Sequence, residues 1–375
     1  MSDPPLPGSG HLARGRCPEP GTFVHEALPG RVVFGAGSLD RVADEAAGLG
    51  LDRVMVIAAG SSKPVGDRIA DRLGDRYGGS FGDVRQHVPE DLAATAREAA
   101  RATGVDGVVA VGGGSAIGLA KAVAVGLDGP FPVVAVPTTY SGSEMTPIYG
   151  ITGQHKVTGR DLRALPRVVV YDPALTVDLP PGVTGASGFN ALAHGVEALY
   201  APGTAPVAAL YAEAAIRALA DGLPGAIDEP ADLEARSTAL YGAHMAGRAL
   251  AIAGTALHHK LCHVLGGTFG LDHARTNAVV LPHAAQVMAR HEPAALARVA
   301  VALGGPADPA AAPALLADLA ARLGTPTDLA ALGLQADALD EAASLTEAAL
   351  GGAIGADEIR ALLEAAFHGR RPGGD

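Results

Sequence analysis

Four short runs of apolar residues, each about one strand long, constrain this chain more than any other feature. They are RVMVIAA at 53–59, GVVAVGG at 107–113, PVVAVPT at 132–138 and RALPRVVVYD at 163–172. None alternates polar with apolar residues, as a strand with one wet face would. A continuous apolar run belongs to a strand covered on both faces, and such strands occur in parallel sheets flanked by helices. Helical periodicity fills the gaps, over about residues 64–76, 91–103 and 115–125. This alternation predicts a doubly wound parallel sheet whose ligands lie at the C-terminal strand ends. FVHEAL at 23–28 and RVVFGAG at 31–37 predict two further short strands joined by a turn, with a helix starting near Ser38.

After Pro180 and Pro181 the strand pattern stops, and Ala-rich helical periodicity runs to about residue 368. The chain is therefore expected to have a disordered Pro- and Gly-rich extension over 1–21, an α/β domain over 22–180 and an all-α domain over 181–370. A cleft between two domains is the natural place for a substrate.

With a formal net charge of −12 and no basic run, the chain offers nothing to a phosphate backbone, so no nucleic-acid partner is expected. No strongly apolar segment reaches membrane-spanning length and no leader pattern opens the chain, which predicts a cytoplasmic protein without a membrane partner. Two cysteines, Cys17 and Cys262, are too few for a disulfide framework. Cys262 is read either as a thiol nucleophile or as a small buried core residue.

Two polar turns interrupt the α/β half. VGGGSAIGLAK at 111–121 leaves a strand, turns through Gly112, Gly113 and Gly114, and enters a helix at Ser115. Amides at a helix N-terminus attract a pyrophosphate, and glycines let it approach without a Cβ in the way. The spacing is neither GxGxxG nor a P-loop. PTTYSGSEMTP at 137–147 follows the next strand, and Thr138, Thr139 and Ser143 supply further donors. Two such turns at neighbouring strand ends point to a dinucleotide.

The helical half carries its chemistry in HHKLCHVLGGTFGLDH at 258–273, which holds four of the thirteen histidines. His259 and His263 are one helical turn apart and share a face. Gly266 and Gly267 predict a break that returns His273 toward them. A histidine trio is a common metal site, because neutral imidazole binds Zn and Fe. It is also a set of proton donors and acceptors.

Together GGGSAIGLAK, PTTYSGSEMTP, the Asn190-x-x-x-His194 pair in SGFNALAHGVEALYA and the histidine stretch resemble the iron-containing alcohol dehydrogenase superfamily, and within it the maleylacetate reductases. The resemblance spans about residues 23–290. It implies an α/β N-terminal dinucleotide-binding domain with a parallel sheet plus an all-α C-terminal domain, the dehydroquinate synthase-like, iron-type alcohol dehydrogenase fold, as a homodimer. It also implies NADH or NADPH as cofactor, its pyrophosphate held by Gly112, Gly113, Gly114, Ser115, Thr138, Thr139 and Ser143, with Lys156 near the nicotinamide ribose. In metal-dependent members an aspartate stands where this chain has Asn190, and it joins the equivalents of His194, His259 and His273 around the ion. A neutral amide is a much poorer ligand. Asn190, HHKLCHVLGGTF, TGRD at 158–161 and PTTYSGSEMTPIYGIT are what maleylacetate reductases look like, and those work without a metal. Where they carry Glu and then His after the third histidine, this chain has Arg275 and Asn277.

The activity so implied is reduction of the C=C of a 4-oxo-2-enedioate, maleylacetate to 3-oxoadipate, in the breakdown of aromatic compounds. Such a site binds two carboxylates, stabilises an enolate and delivers one proton. His259 and His263 are expected as proton donor or oxyanion stabiliser, with Asn190, His194 and His273 orienting the substrate. Lys260, Arg160, Arg163, Arg248 and Arg275 are candidate carboxylate partners. A metal-dependent alcohol dehydrogenase acting on an aldehyde or ketone would use the same histidines. A lyase of the dehydroquinate synthase kind needs a glutamate and two histidines as ligands. A protein that binds NAD(P)H without turnover would keep the fold alone.

Overall fold

The computed structural model describes residues 25–153 and 156–373. The extension expected over 1–21, Cys17 with it, lies outside the described residues. The chain divides into two compact units, Leu28–Leu179 with Asp228–Leu240, and Pro180–Ile227 with the chain from Tyr241 on.

Strands β1 (Arg31–Phe34), β2 (Val54–Ile57), β3 (Tyr77–Phe81), β4 (Gly107–Gly112), β5 (Val133–Pro137) and β8 (Val168–Tyr171) form one parallel sheet in the order β1-β8-β5-β4-β2-β3. Every residue of β2, β4, β5 and β8 is buried, as the unbroken apolar runs require. Their alternate residues serve the two faces. Val54, Val56, Val109, Val111, Val134, Val136, Val168 and Val170 join Val42 and Ala46 of α1 (Val42–Gly48) and Ile69 and Leu73 of α2 (Lys63–Leu73) in one core. Each valine buried this way contributes about 1.5–3 kcal/mol. On the sheet's other side α4 (Gly114–Gly126) packs on β4 and β5, and α3 (Glu90–Thr103) packs on α4. The strand order reverses between β2 and β4, the switch point at which α/β sheets open a crevice for a ligand.

Three elements differ from the sequence expectation. His25–Leu28, the described part of FVHEAL, forms no strand. Edge strand β3, YGGSF, is additional; its two glycines and half-exposed pattern hide it from a hydrophobicity reading. An antiparallel hairpin, β6 (Ile148–Thr152) with β7 (Lys156–Arg160), is also additional, and Lys156 opens its second strand.

The second unit is built from α5 (Pro181–Ala198), α6 (Pro206–Asp228), the later part of α7 (Leu233–Ala253), α8 (Leu257–Phe269), α9 (His273–His291), α10 (Pro293–Ala302), α11 (Ala311–Arg322), α12 (Leu339–Ala349) and α13 (Ala356–Phe367). Helix α5 is buried along nearly its whole length, which explains its apolar and small residues on every face. Gly188 makes that possible, because a Cβ there would lie 2.3 Å from Leu223 of α6. Helices α8 and α9 pack on each other, and both contact α5.

Candidate active site

In the α/β unit, the turns after β2, β4 and β5 meet. Gly112 has φ +140°, a conformation that strains any L side chain. A Cβ on Gly113 would stand 3.1 Å from the Thr139 side chain, and one on Gly114 would stand 3.2 Å from Ser141 Oγ. The Thr138 amide donates to the Gly112 carbonyl at 3.0 Å, and Ser62 Oγ lies 3.5 Å from Thr138 Oγ1. No side chain caps the N-terminus of α4. Gly112, Gly113, Gly114, Ser115, Thr138 and Thr139 therefore form a half-open cradle whose floor is too close for side chains and whose helix amides suit a pyrophosphate.

Ser143 also meets a buried lysine. Its carbonyl and hydroxyl receive Lys121 Nζ at 2.6 and 3.3 Å, and the same ammonium donates to the carbonyls of Thr146 and Ile148, each at 2.9 Å. Lys121 is fully buried; burial lowers its pKa to about 7, while Glu144 opposes the shift. Glu144 is buried as well, with Oε1 accepting the Tyr171 hydroxyl at 2.7 Å. This buried pair pins the SGSEM turn against the sheet. A lysine in a helix whose other faces are apolar was its signal.

The helical unit assembles the histidines from three helices. Asn190, His194 and Glu197 follow one another on α5 at i, i+4 and i+7, one face of a helix. His258, His259 and His263 come from α8, and His273 opens α9. The rings of His194 and His259 stack with centroids 4.6 Å apart, His263 stacks on His273 at 5.9 Å, and His259 lies 6.2 and 6.3 Å from those two. The set expected from spacing does meet. The chain break comes later than expected: Gly266 and Gly267 stay within α8, and the turn is made at Gly270, φ +73°, followed by Asp272, whose side chain caps α9 through the Arg275 amide.

Burial grades the cluster. His194 and His259 are buried, His273 is half-buried and His263 is exposed. Burial, and then the neighbouring imidazoles, push the His194 pKa well below the ordinary value.

Behind the rings lies a polar layer that sequence reasoning gave no role. Glu197, fully buried, accepts from His259 Nδ1 at 2.5 Å through Oε2, and from the backbone amides of Ala256 and His259 at 3.1 and 3.2 Å through Oε1. Burial raises its carboxyl pKa, with His258 and the amides pulling the other way. His258 Nδ1 lies 3.2 Å from His259 Nδ1, and His258 Nε2 lies 3.1 Å from the Asn277 carbonyl. Asn277 Nδ2 donates to Asn190 Oδ1 at 2.5 Å. Cys262 is fully buried beside His258, and burial drives its thiol pKa well above the usual range, so it packs rather than reacts.

Of the candidate carboxylate partners, Lys260 is half-buried on α8 and Arg275 is exposed. Arg163 is tied to Asp161 at 2.7 Å, and Arg248 lies near His244.

A cradle suited to a pyrophosphate in the α/β unit and an imidazole cluster in the helical unit agree with an oxidoreductase. The family model for iron-containing alcohol dehydrogenases matches residues 29–173, and that for the C-terminal part of the Fe-containing alcohol dehydrogenase family matches 184–367. The chain belongs to this family. It is 50% identical to maleylacetate reductase 2 of Cupriavidus pinatubonensis over 285 residues, 76% of this chain and 79% of that one. It is 46% identical to the maleylacetate reductase of Burkholderia cepacia, covering 93% and 99%. The crystal structure of maleylacetate reductase from Agrobacterium tumefaciens superposes with a TM-score of 0.88 at 45% identity, covering 94% and 99%.

The family's name implies iron, and the donor set argues against it here. Where metal-dependent members carry an aspartate this chain has Asn190, a neutral amide whose oxygen already accepts from Asn277. Among the described residues the one grouping of metal-capable atoms is Glu197, His258 and His259, all within 4.8 Å of one another. Those side chains are hydrogen-bonded to one another through His259 Nδ1, so an ion there would have to displace both of its contacts. The residues do not fit a resident dication.

Proposed function

We propose that this chain is a metal-independent NAD(P)H-dependent reductase of the activated C=C of a 4-oxo-2-enedioate, converting maleylacetate to 3-oxoadipate. The observation that carries the reading is a histidine cluster in which Asn190, held by Asn277, stands where metal-dependent members carry an aspartate. Its support is the run of relatives named maleylacetate reductases, eight of them at 41–50% identity.

In this reading residues 22–180 form the dinucleotide-binding domain and 181–370 the domain carrying the catalytic histidines, in a cytoplasmic homodimer. Gly112, Gly113, Gly114, Ser115, Thr138 and Thr139 hold the pyrophosphate. Ser143, on the turn that Lys121 fixes, joins them, and Lys156 serves the nicotinamide ribose. The chemistry the bound cofactor supplies is a hydride, delivered to the carbon β to the ketone. The electron pair of the C=C moves toward the ketone oxygen, and the enolate so formed takes a proton at the α carbon. His259, buried and backed by a carboxylate, stabilises the enolate and exchanges the proton. His263, exposed on the same helix, relays protons from solvent. His194, His273 and Asn190 orient the substrate, and Lys260 and Arg275 meet its carboxylates.

NADPH is accepted beside NADH, because Ala58, Ala59 and Gly60, which follow β2, include no acid to repel a 2′-phosphate, and the Lys63 ammonium beyond them pairs with Asp67. The test is turnover of maleylacetate by the EDTA-dialysed enzyme, followed by NADH and NADPH absorbance. No turnover of maleylacetate overturns the substrate. A preference for NADH above about a thousandfold, about 4 kcal/mol, overturns the cofactor reading.

A further inference from the structure

His259 has two faces, and the buried one is unusually constrained. Its Nδ1 meets two atoms, Glu197 Oε2 at 2.5 Å and His258 Nδ1 at 3.2 Å. The state of His258 follows from its other nitrogen: Nε2 lies 3.1 Å from a carbonyl, which only accepts, so Nε2 carries the hydrogen. A neutral His258 then has its lone pair on Nδ1, and burial keeps it neutral, with a pKa of about 3. Both atoms facing His259 Nδ1 are therefore acceptors, and both are satisfied only by a hydrogen on that nitrogen. The carboxylate cannot turn away, since its second oxygen is fixed by two amides at the start of the helix that carries His259. That helix has no cap from its own N-cap residue, so Glu197 also completes its N-terminus, where negative charge is favoured.

We infer that Glu197 is a positioning residue for the reaction: together with His258 it locks His259 in the form protonated on Nδ1, so that Nε2 is the nitrogen that exchanges the proton with substrate. The step then balances simply. The imidazolium N–H bond at Nε2 breaks, a C–H bond forms at the α carbon of the enolate, and His259 is left neutral with its hydrogen still on Nδ1 and donated to Glu197. The carboxylate gains no proton; it stabilises the imidazolium before transfer and fixes the ring throughout. A carboxylate behind a histidine is also how metal sites orient their ligands. Here the same geometry serves a ring with no metal in front of it. The inference rests on the enone-reductase reading for its substrate, and on geometry alone for the tautomer.

Glu197→Gln is the discriminating variant. The two amide donors still require an oxygen, so the glutamine side chain must give them its carbonyl and turn its NH₂ toward His259. That demands a lone pair on Nδ1 and moves the hydrogen to Nε2. The expected result is a fall in kcat with maleylacetate of about 10³–10⁴-fold, the size seen when an acid behind a catalytic histidine becomes an amide. NADH affinity should stay within about twofold. Nitrogen-15 NMR of selectively labelled histidine should show the protonated nitrogen of His259 switching from Nδ1 to Nε2. Glu197→Asp should recover a large part of the rate and keep the Nδ1 form.

A Glu197→Gln enzyme with kcat within about threefold of wild type, or with an unchanged tautomer, overturns the inference. So does wild-type protein in which His259 is protonated on Nε2 alone, a measurement that needs neither variant to fold. Failure of wild type to reduce maleylacetate would remove the substrate reading and leave the tautomer measurement standing.

Discussion

In the α/β unit the proposed phosphate cradle is made of backbone: a glycine turn, a strand end and the first amides of α4, with hydroxyls only at its rim. In the helical unit the cluster is made of side chains from α5, α8 and α9, held by other buried side chains. The first depends on how closely two chain segments approach. The second depends on which nitrogen holds which proton. A backbone site is broken by adding atoms, and a side-chain site by moving charge.

The largest expected separation is in acid. His194, His244, His258 and His283 are held below their ordinary pKa, and all four lie in the helical unit. Burial is the leading cause for each, bringing His244 and His283 to about 4 and His258 to about 3. The folded values lie below the unfolded one, so the unfolded chain binds more protons as pH falls below about 6.5. Stability is therefore lost between about pH 6.5 and 4, at about 1.4 kcal/mol per pH unit for each such histidine. Denaturant unfolding at pH 7.5 and 5.5, with hydrogen exchange resolved by peptide and corrected for intrinsic rates, should show helical-unit amides losing protection first. Equal loss in both units would erase the contrast.

His259→Ala should lower kcat by about 10³-fold or more, about 4 kcal/mol, while leaving NADH affinity within about twofold. Stopped-flow hydride transfer and fluorescence titration separate the two. A matching loss of cofactor affinity would mean that the imidazole cluster and the cradle are not independent.

Gly113→Val is the reciprocal insult. Even a methyl at this position stands 3.1 Å from Thr139, and a valine adds two branches beyond it. The expected result is an NADH Kd raised about a hundredfold, about 2.7 kcal/mol, with the NMR signals of His259 unchanged. An unaltered Kd would show that the phosphates bind elsewhere.

The two sites also differ in how far the sequence revealed them. Strands β2, β4, β5 and β8 announced themselves because full burial leaves an unbroken apolar run, and the glycine turn because close approach excludes every other residue. Strand β3 and the hairpin were silent: they are short, glycine-bearing and half-exposed, so neither run nor alternation survives. The histidines were legible by spacing, one turn apart on α8. Glu197 was not, although it falls seven residues after Asn190 on the same face. A glutamate in an Ala-rich helix reads as solvent-facing until tertiary packing buries it. His258 was hidden by the rule that i and i+1 residues diverge on a helix. The rings of His258 and His259 nevertheless meet in a T-shape, with centroids 4.7 Å apart, at the first turn of α8. Asn277 was visible only as a departure, and the structure gives it two tasks, holding Asn190 through its amide and His258 through its carbonyl.

The smallest expected effect tests the boundary between a histidine cluster and a metal site. Asn190→Asp keeps the shape and the hydrogen bond from Asn277, since either oxygen accepts it. What changes is one unit of charge, placed on the face of α5 that also carries His194. Three imidazoles gain the anionic oxygen they lack, so affinity for Zn²⁺ or Fe²⁺ should rise. The same charge repels a dicarboxylate substrate, so kcat/KM for maleylacetate should fall by about tenfold, most of it in KM. Elemental analysis of both proteins after dialysis, beside their rates with and without EDTA, measures both effects. Wild type should keep its rate in EDTA with substoichiometric metal. A wild type that holds one ion per chain and loses its activity when that ion is removed would show that Asn190 is no obstacle to metal, and the cluster would have to be read as the metal centre of an alcohol dehydrogenase.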